Sequence, residues 1–183
     1  MSGVNLQSSD FELFGLQDRF EQDPATLDQR WKDLQREVHP DRFAAQGAAA
    51  QRLAMQWSSR INQAYQRLRD PLKRAAYLCE LRGVPTEAEN NTAMTPAFLM
   101  QQIAWREALD DAQGAADLAP LEQEVRASRD AALRDCARRL DEQNDAPGAV
   151  RQVRALMFIQ RFDADLQARQ DWFEAQQQEK QGL

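Results

Sequence analysis

The chain has 183 residues and a formal net charge of −6 at pH 7, with two cysteines and one histidine. Residues 1–82 carry a net charge of +1 and residues 96–183 a net charge of −5. The acidic second half argues against nucleic acid or an anionic membrane as the partner and favours proteins. One histidine and two cysteines cannot supply a conventional zinc or iron–sulfur ligand set, so we expect neither a metal nor a cofactor.

The start of the chain and its hydropathy bear on its location. Residues 1–10 have neither the basic start nor the apolar stretch of a signal peptide. No apolar run approaches the roughly 18 residues that are needed to span a bilayer. We therefore expect a cytoplasmic protein. Cys79 and Cys136 are expected to be buried free thiols rather than disulfide partners or ligands.

The composition predicts an all-α fold. Ala, Gln, Arg, Glu and Leu are abundant, and only seven glycines are present. Three helix starts are marked by a capping residue followed by proline, at Asp23-Pro24, Asp70-Pro71 and Thr95-Pro96. A looser version begins at Asp145, and Gly83 fits the left-handed position that follows a helix end.

The first half of the chain is predicted to form four helices. A short apolar piece spans residues 11–16, and amphipathic helices follow at residues 24–38, 48–69 and 71–82. The two longer helices are predicted to form an antiparallel hairpin, with the shorter helices packed beside it. The apolar stripes of the hairpin comprise Leu27, Trp31, Leu34 and Val38 on one helix and Leu53, Trp57, Ile61, Ala64, Tyr65 and Leu68 on the other.

Residues 83–95 are predicted to be a polar linker, after which the chain returns to helix. Three longer helices are expected at residues 96–112, about 117–142 and about 146–176. Their apolar stripes are compatible with one long coiled-coil hairpin as well as with a three-helix bundle. The short loops favour the compact bundle.

The loop of the predicted hairpin contains His39-Pro40-Asp41, and His39 is the only histidine in the chain. Proline at position 40 disfavours the α conformation at His39, so the preceding helix must end there. Catalysis would need a nucleophile or a metal beside this pair, and residues 42–45 offer neither. Two possibilities remain: a simple turn, or a recognition loop in which Asp41 accepts a charge-assisted hydrogen bond from a partner's arginine or lysine.

The helix before this loop has a basic face. Gln29, Lys32 and Arg36 lie roughly opposite its apolar stripe, and Arg30 lies at the flank. Taken alone, such a face is usually just solvated. Beside the His-Pro-Asp loop, it would offer an acidic partner a docking surface and a faster encounter.

These features resemble a J domain. The basic second helix and the His-Pro-Asp loop are followed by a third helix that ends in Asn62-Gln63-Ala64-Tyr65-Gln66-Arg67-Leu68-Arg69-Asp70-Pro71. The opening residues 11–16 and the segment Arg74-Ala75-Ala76-Tyr77-Leu78 match as well. Residues 10 to about 175 resemble the HscB family, the J-type co-chaperones of iron–sulfur cluster assembly. The resemblance implies a J domain over residues 1–82, a linker over 83–95 and a C-terminal three-helix bundle over 96–183.

J domains bind chaperone ATPases of the DnaK class and stimulate their ATP hydrolysis. The resemblance therefore implies a non-enzymatic co-chaperone whose partner is a DnaK-class ATPase of the HscA type. No GxxxxGK[ST] or GxGxxG nucleotide motif occurs in the chain itself. The implied chaperone-binding residues are His39, Pro40, Asp41, Lys32, Arg36 and Arg30.

The helix predicted over residues 96–112 is apolar on two sides. Its expected core stripe contains Phe98, Gln102, Trp105 and Leu109. The opposite side carries Leu99, Met100, Ile103, Glu107 and Asp111. Leu99 and Ile103 either pack on the third helix or the N-terminal domain, or belong to an exposed apolar patch rimmed by carboxylates. The second arrangement is typical of a protein-binding surface.

In the family that the chain resembles, this helix face binds the iron–sulfur scaffold protein IscU. The chain departs from the family pattern at Ala104 and Gln101, where relatives carry acidic residues. A co-chaperone for a different client, and a helical adaptor without a chaperone partner, remain the alternatives. The implied scaffold-binding residues are Leu99, Met100, Ile103, Glu107, Asp111 and Phe158.

The helix predicted over residues 71–82 has apolar residues outside its core stripe. These are Tyr77, Leu78 and Leu81. We expect them to dock the N-terminal domain rigidly on the C-terminal bundle. Rigid docking would present the client and the chaperone in a fixed geometry.

Overall fold

A computed structural model describes residues 4–86 and 94–181. Within these ranges the secondary structure is helical throughout, with no strand, which confirms the predicted all-α fold. Most of the predicted linker, residues 87–93, lies outside the described residues. The elements are α1 (Asp10–Phe14), α2 (Pro24–Glu37), a 3₁₀ segment (Pro40–Gln46), α3 (Ala48–Arg69), α4 (Pro71–Leu81), α5 (Pro96–Asp111), α6 (Ala115–Ala137), a π-helical segment (Arg138–Glu142) and α7 (Ala146–Gln181).

The predicted caps begin their helices as expected. The Asp70 carboxylate accepts a hydrogen bond from the Lys73 N–H at 3.0 Å, and the Thr95 hydroxyl accepts one from the Phe98 N–H at 3.2 Å. The Asp23 carboxylate accepts from both the hydroxyl and the N–H of Thr26. These two hydrogen bonds lower the pKa of Asp23, because they favour its charged form. Gly83 is left-handed, with φ 76°. None of the helices that the described ranges contain combines the length and apolarity of a membrane span.

The antiparallel pair α2 and α3 forms the predicted hairpin, and α1 packs across α3. Asp10 of α1 is fully buried, and its carboxylate lies 2.7 Å from Nη1 of Arg60 and 3.5 Å from Nε of Arg67 on α3. Its backbone N–H donates to the hydroxyl of Tyr77 on α4 at 2.9 Å. A buried charge is tolerated only where it is paired in this way. The carboxylate therefore ties α1 to α3.

The C-terminal helices form a bundle in which α6 and α7 share the largest contact and α5 packs against both. The bundle has its own core around Trp105, Leu118, Val125 and Phe162. A second apolar core is shared by both halves of the molecule. It joins residues of α1–α4 to Ala132, Cys136, Leu140, Ala149, Val150, Val153 and Leu156.

Helix α4 docks on the bundle through only part of the predicted set. Leu78 is fully buried in the shared core, whereas Tyr77 and Leu81 are placed differently. Tyr77 stacks on Phe11 of α1, with ring centroids 5.9 Å apart, and Leu81 is 45% exposed. The prediction is therefore wrong for these two residues. Cys79 contacts the bundle instead, with its Sγ 3.9 Å from the carbonyl oxygen of Ala146. The Tyr77 side chain points towards α1 because its buried hydroxyl needs a polar partner. The backbone N–H of Asp10 is that partner.

One carboxylate of the bundle joins the two halves by hydrogen bonds. Asp141, in the π-helical segment, accepts from the backbone N–H groups of Phe20 at 2.6 Å and Glu21 at 2.9 Å, in the loop that leads into α2. Its side chain is only 3% exposed. Beside it, Arg82 donates to the carbonyl oxygens of Leu140 at 2.7 Å and Asp18 at 3.4 Å.

We predict that Asp141→Ala lowers the free energy of unfolding by about 2 kcal/mol, because the N–H groups of Phe20 and Glu21 lose a charged acceptor. Chemical denaturation followed by circular dichroism measures this change. Glu142→Ala is the matched control, since Glu142 is exposed on the same segment, and it should leave stability unchanged. Equal stabilities for the two variants would contradict the prediction.

Cys79 and Cys136 are buried free thiols, as predicted. Burial raises the pKa of Cys79 to about 11 and that of Cys136 to about 12, because a thiolate is poorly solvated there. At pH 8 roughly one Cys79 thiol in a thousand is then ionised.

We therefore predict that the native protein is not alkylated by iodoacetamide at pH 8, because the thiolate is the reactive form. Both cysteines should react once the protein is unfolded in guanidinium, and mass spectrometry counts the adducts. Ser59→Cys places a thiol at an exposed position and should react in the native state. Rapid labelling of the unmutated native protein would contradict the burial.

Candidate protein-interaction surfaces

The His-Pro-Asp loop caps the end of the α2–α3 hairpin. His39 is non-helical, with φ −57° and ψ 127°, as the following proline requires. Its Nδ1 accepts a hydrogen bond from the Asp41 N–H at 3.3 Å and lies 3.6 Å from Oδ2 of Asp41. Because Nδ1 is the acceptor, the neutral imidazole carries its proton on Nε2, where it can donate to a partner. The His39 and Asp41 side chains are 58% and 89% exposed.

Arg42 connects this loop to α2 by hydrogen bonds. Its Nη1 donates to the carbonyl oxygen of Arg36 at 3.0 Å, and its backbone N–H donates to the carbonyl oxygen of His39 at 3.0 Å. Val38, the last residue before the loop, is buried. The loop is thus fixed at its base while its polar side chains remain accessible.

The basic face of α2 is exposed beside the loop, with Arg30, Lys32 and Arg36 all on the surface. Arg36 lies 3.2 Å from the Asp33 carboxylate, which also accepts from Gln29 at 2.9 Å. An exposed pair of this kind contributes little to stability, so Arg36 can exchange Asp33 for a partner's carboxylate. The term HPD surface is used below for His39, Pro40, Asp41, Lys32, Arg36 and Arg30.

The contact between α2 and α3 beneath the loop includes a polar network, which the apolar stripes do not predict. Oδ1 of Asn62 on α3 accepts from Nε1 of Trp31 at 2.9 Å and from Nε2 of Gln35 at 2.8 Å. Gln35 also donates to the Ser58 carbonyl oxygen at 3.3 Å and accepts from the Ser58 hydroxyl at 2.9 Å. Leu53, placed on the α3 stripe by its spacing, is 49% exposed. The stripe prediction is wrong at Leu53, because α3 extends past the apolar part of α2.

The second surface lies on α5. Leu99, Met100 and Ile103 are 44%, 68% and 53% exposed, so these residues form an exposed patch rather than packing on the third helix. On the opposite side of α5, Trp105 is buried and stacks on Phe162 at 5.5 Å. The term α5 face is used below for Leu99, Met100, Ile103, Glu107 and Asp111, of which the two carboxylates are also exposed.

Phe158 of α7 is half-buried at the beginning of α5. Its ring packs edge-on against Phe98, with centroids 5.8 Å apart, and lies parallel to Phe162 at 6.1 Å. Phe98 directly precedes Leu99 in the chain. Phe158 therefore belongs mainly to the core that supports the α5 face, and only part of its ring is accessible.

The two surfaces lie on different elements of the molecule. Helix α3 has 22 residues and is therefore about 33 Å long. The HPD surface lies at one end of α3, and α4, which packs on α7, begins at the other. Over the described residues, 4–86 and 94–181, no three His, Cys, Asp or Glu side chains are grouped to hold a metal ion.

Comparisons with known proteins agree with this architecture. Residues 94–167 match the family described as the HSCB C-terminal oligomerisation domain. A co-chaperone protein HscB homolog from Burkholderia mallei is 52% identical over 168 residues, which cover 90% of this chain and 95% of the relative. The homolog from Bordetella pertussis is 47% identical over 161 residues, covering 87% and 95%.

Two solved structures have the same fold. Chaperone HscB from Vibrio cholerae superposes with a TM-score of 0.75 at 34% identity, covering 88% of this chain and 96% of that one. Human co-chaperone protein HscB gives a TM-score of 0.84 at 25% identity, covering 90% and 83%. The chain belongs to the HscB family of co-chaperones.

Proposed function

We propose that this protein stimulates ATP hydrolysis by a DnaK-class chaperone of the HscA type and delivers the iron–sulfur scaffold protein IscU to it. It would act without catalysing a reaction itself. The observation that carries the proposal is the presence of two separate exposed surfaces on a chain of the HscB family. The first is polar and basic, at the tip of a hairpin, and the second is apolar with an acidic rim, on the bundle.

The HPD surface is proposed to bind the chaperone. Its fixed base and exposed imidazole and carboxylate suit a contact that must be made in one orientation. Lys32, Arg36 and Arg30 would attract an acidic surface on the chaperone and speed the encounter. Asp41 would accept a charge-assisted hydrogen bond, which is stronger than a neutral one. ATP hydrolysis would then occur in the active site of the partner.

The α5 face is proposed to bind the scaffold. Three exposed apolar side chains in two helical turns are more than a solvated helix needs, and exposed carboxylates at the rim are typical of a protein interface. Gln101 is half-buried and Ala104 is exposed, and both replace acidic residues of the family pattern. We therefore infer that apolar contact provides most of the affinity for the scaffold in this protein.

The domain organisation is proposed to serve delivery. We assign residues 1–82 to the J domain, 83–95 to the linker and 96–183 to the scaffold-binding bundle. The shared core beneath α4 and the hydrogen bonds of Asp141 support a fixed geometry between the two surfaces. In this geometry one molecule could hold a client on the bundle while the hairpin contacts the chaperone. The cytoplasmic location remains a prediction from the sequence.

Steady-state ATPase assays of an HscA-type chaperone test the first half of the proposal. We predict that the protein stimulates turnover, that IscU increases the stimulation further, and that Asp41→Ala reduces it at least about tenfold through loss of a charge-assisted contact. Asp130→Ala, an exposed aspartate on α6, is the matched control. Full stimulation by Asp41→Ala would reject the recognition role of the loop, and no response to the unmutated protein would favour an adaptor without a chaperone partner.

Calorimetric titration with IscU tests the second half. We predict that Leu99→Ala with Ile103→Ala weakens binding about a hundredfold, as expected for two central apolar contacts, while the thermal midpoint stays unchanged because both side chains are exposed. Leu53→Ala with Leu81→Ala removes two leucines of similar exposure elsewhere and should bind normally. Unchanged affinity in the α5 variant would indicate a co-chaperone for a different client.

A further inference from the structure

Gln35 uses three of its four side-chain hydrogen-bonding directions to hold α3. Its Nε2 donates one hydrogen bond to Oδ1 of Asn62 and a second to the carbonyl oxygen of Ser58, and its Oε1 accepts a third from the Ser58 hydroxyl. An amide with both donors and its acceptor engaged has one preferred position and orientation. No motif of the sequence singles out this residue.

The position of Gln35 in the chain allows these hydrogen bonds to influence the HPD surface. It lies in the last turn of α2, directly before Arg36 and four residues before His39. The bonds from Gln35 to Ser58 and Asn62 close a loop that contains the His-Pro-Asp segment, the 3₁₀ segment and the first turns of α3. The rotation that points Gln35 at α3 leaves the next residue, Arg36, about 100° away from it on the helix, and Arg36 is exposed.

Apolar packing alone would define this rotation less well. On α2, Leu27 and Val38 are buried, whereas Trp31 and Leu34 are only partly buried against the core. Hydrophobic burial is non-directional, so a thin stripe tolerates small rotations and shifts of register. Hydrogen bonds have strict distance and angle requirements. They therefore do not tolerate such rotations or shifts.

We propose that Gln35, held by Asn62 and Ser58, is a positioning residue that sets the rotation of the last turn of α2 and thereby the presentation of Arg36, His39 and Asp41 to the chaperone. The inference rests on the proposed chaperone-binding function of the HPD surface. Gln35 itself would touch no partner, because its side chain faces α3. Loss of its hydrogen bonds to Ser58 and Asn62 would lower the fraction of molecules in which the HPD surface is correctly arranged.

The test compares Gln35→Met with Gln63→Met. The first variant keeps the length and shape of the side chain and removes all three bonds. The second makes the same replacement on an exposed glutamine of α3 that lies outside the HPD surface. Ser58→Ala removes only one of the three bonds and serves as a milder variant if Gln35→Met folds poorly.

The first readout is the imidazole of His39, which gives a single proton–carbon correlation because the chain has one histidine. In Gln35→Met this signal should shift and broaden, with a smaller change of the same kind in Ser58→Ala and none in Gln63→Met. Circular dichroism establishes that each variant is folded. An unchanged His39 signal in Gln35→Met would overturn the proposal, because the loop would then be positioned without the bonds.

The second readout is the concentration of co-chaperone that half-saturates ATPase stimulation. In Gln35→Met it should rise about fivefold to tenfold while maximal stimulation is largely kept, since affinity falls with the fraction of competent molecules. A half-saturating concentration equal to that of Gln63→Met would overturn the positioning role. Absence of stimulation by the unmutated protein would instead reject the proposed function, and the His39 signal would still report on the loop.

Discussion

The burial of α4 between the α2–α3 hairpin and the α6–α7 pair is the constraint on which the rest of the molecule depends. Ala75, Leu78 and Cys79 have no accessible surface, and the apolar cluster around them continues into both halves of the chain. A short helix that is covered on opposite sides cannot change its contact with one half without disturbing the other. Burial on both sides therefore couples the positions of the two halves through α4.

Polar groups supply the orientation that this apolar contact lacks. The Asp10 carboxylate joins α1 to α3, the Asp141 carboxylate holds the loop before α2 against the bundle, and Gln35 holds the last turn of α2 against α3. Each bonds an element that is distant from it in the chain. Directional bonds specify the orientation at such contacts, because hydrophobic burial is non-directional.

Local chemistry accounts for what the sequence predicts well. Proline and capping residues specify the starts of α2, α4 and α5, and the same spacing rules identify the two sides of α5. Local chemistry does not predict contacts between residues that are far apart in the chain. Tyr77 turns towards α1 because of Asp10, 67 residues away in the chain, and Asp141 bonds a loop about 120 residues before it. Leu53 follows the helical period but lies beyond the end of its partner helix, so periodicity alone cannot tell that it is exposed.

The burial of the two cysteines has a consequence for the proposed function, in which the client is an iron–sulfur scaffold protein. Iron is bound by thiolates, and a thiol whose pKa is raised by burial stays protonated at neutral pH. A co-chaperone with accessible, ionised cysteines would compete with its own client for iron. Because both sulfur atoms lie inside the core beneath α4, they would not compete for iron with the proposed scaffold client.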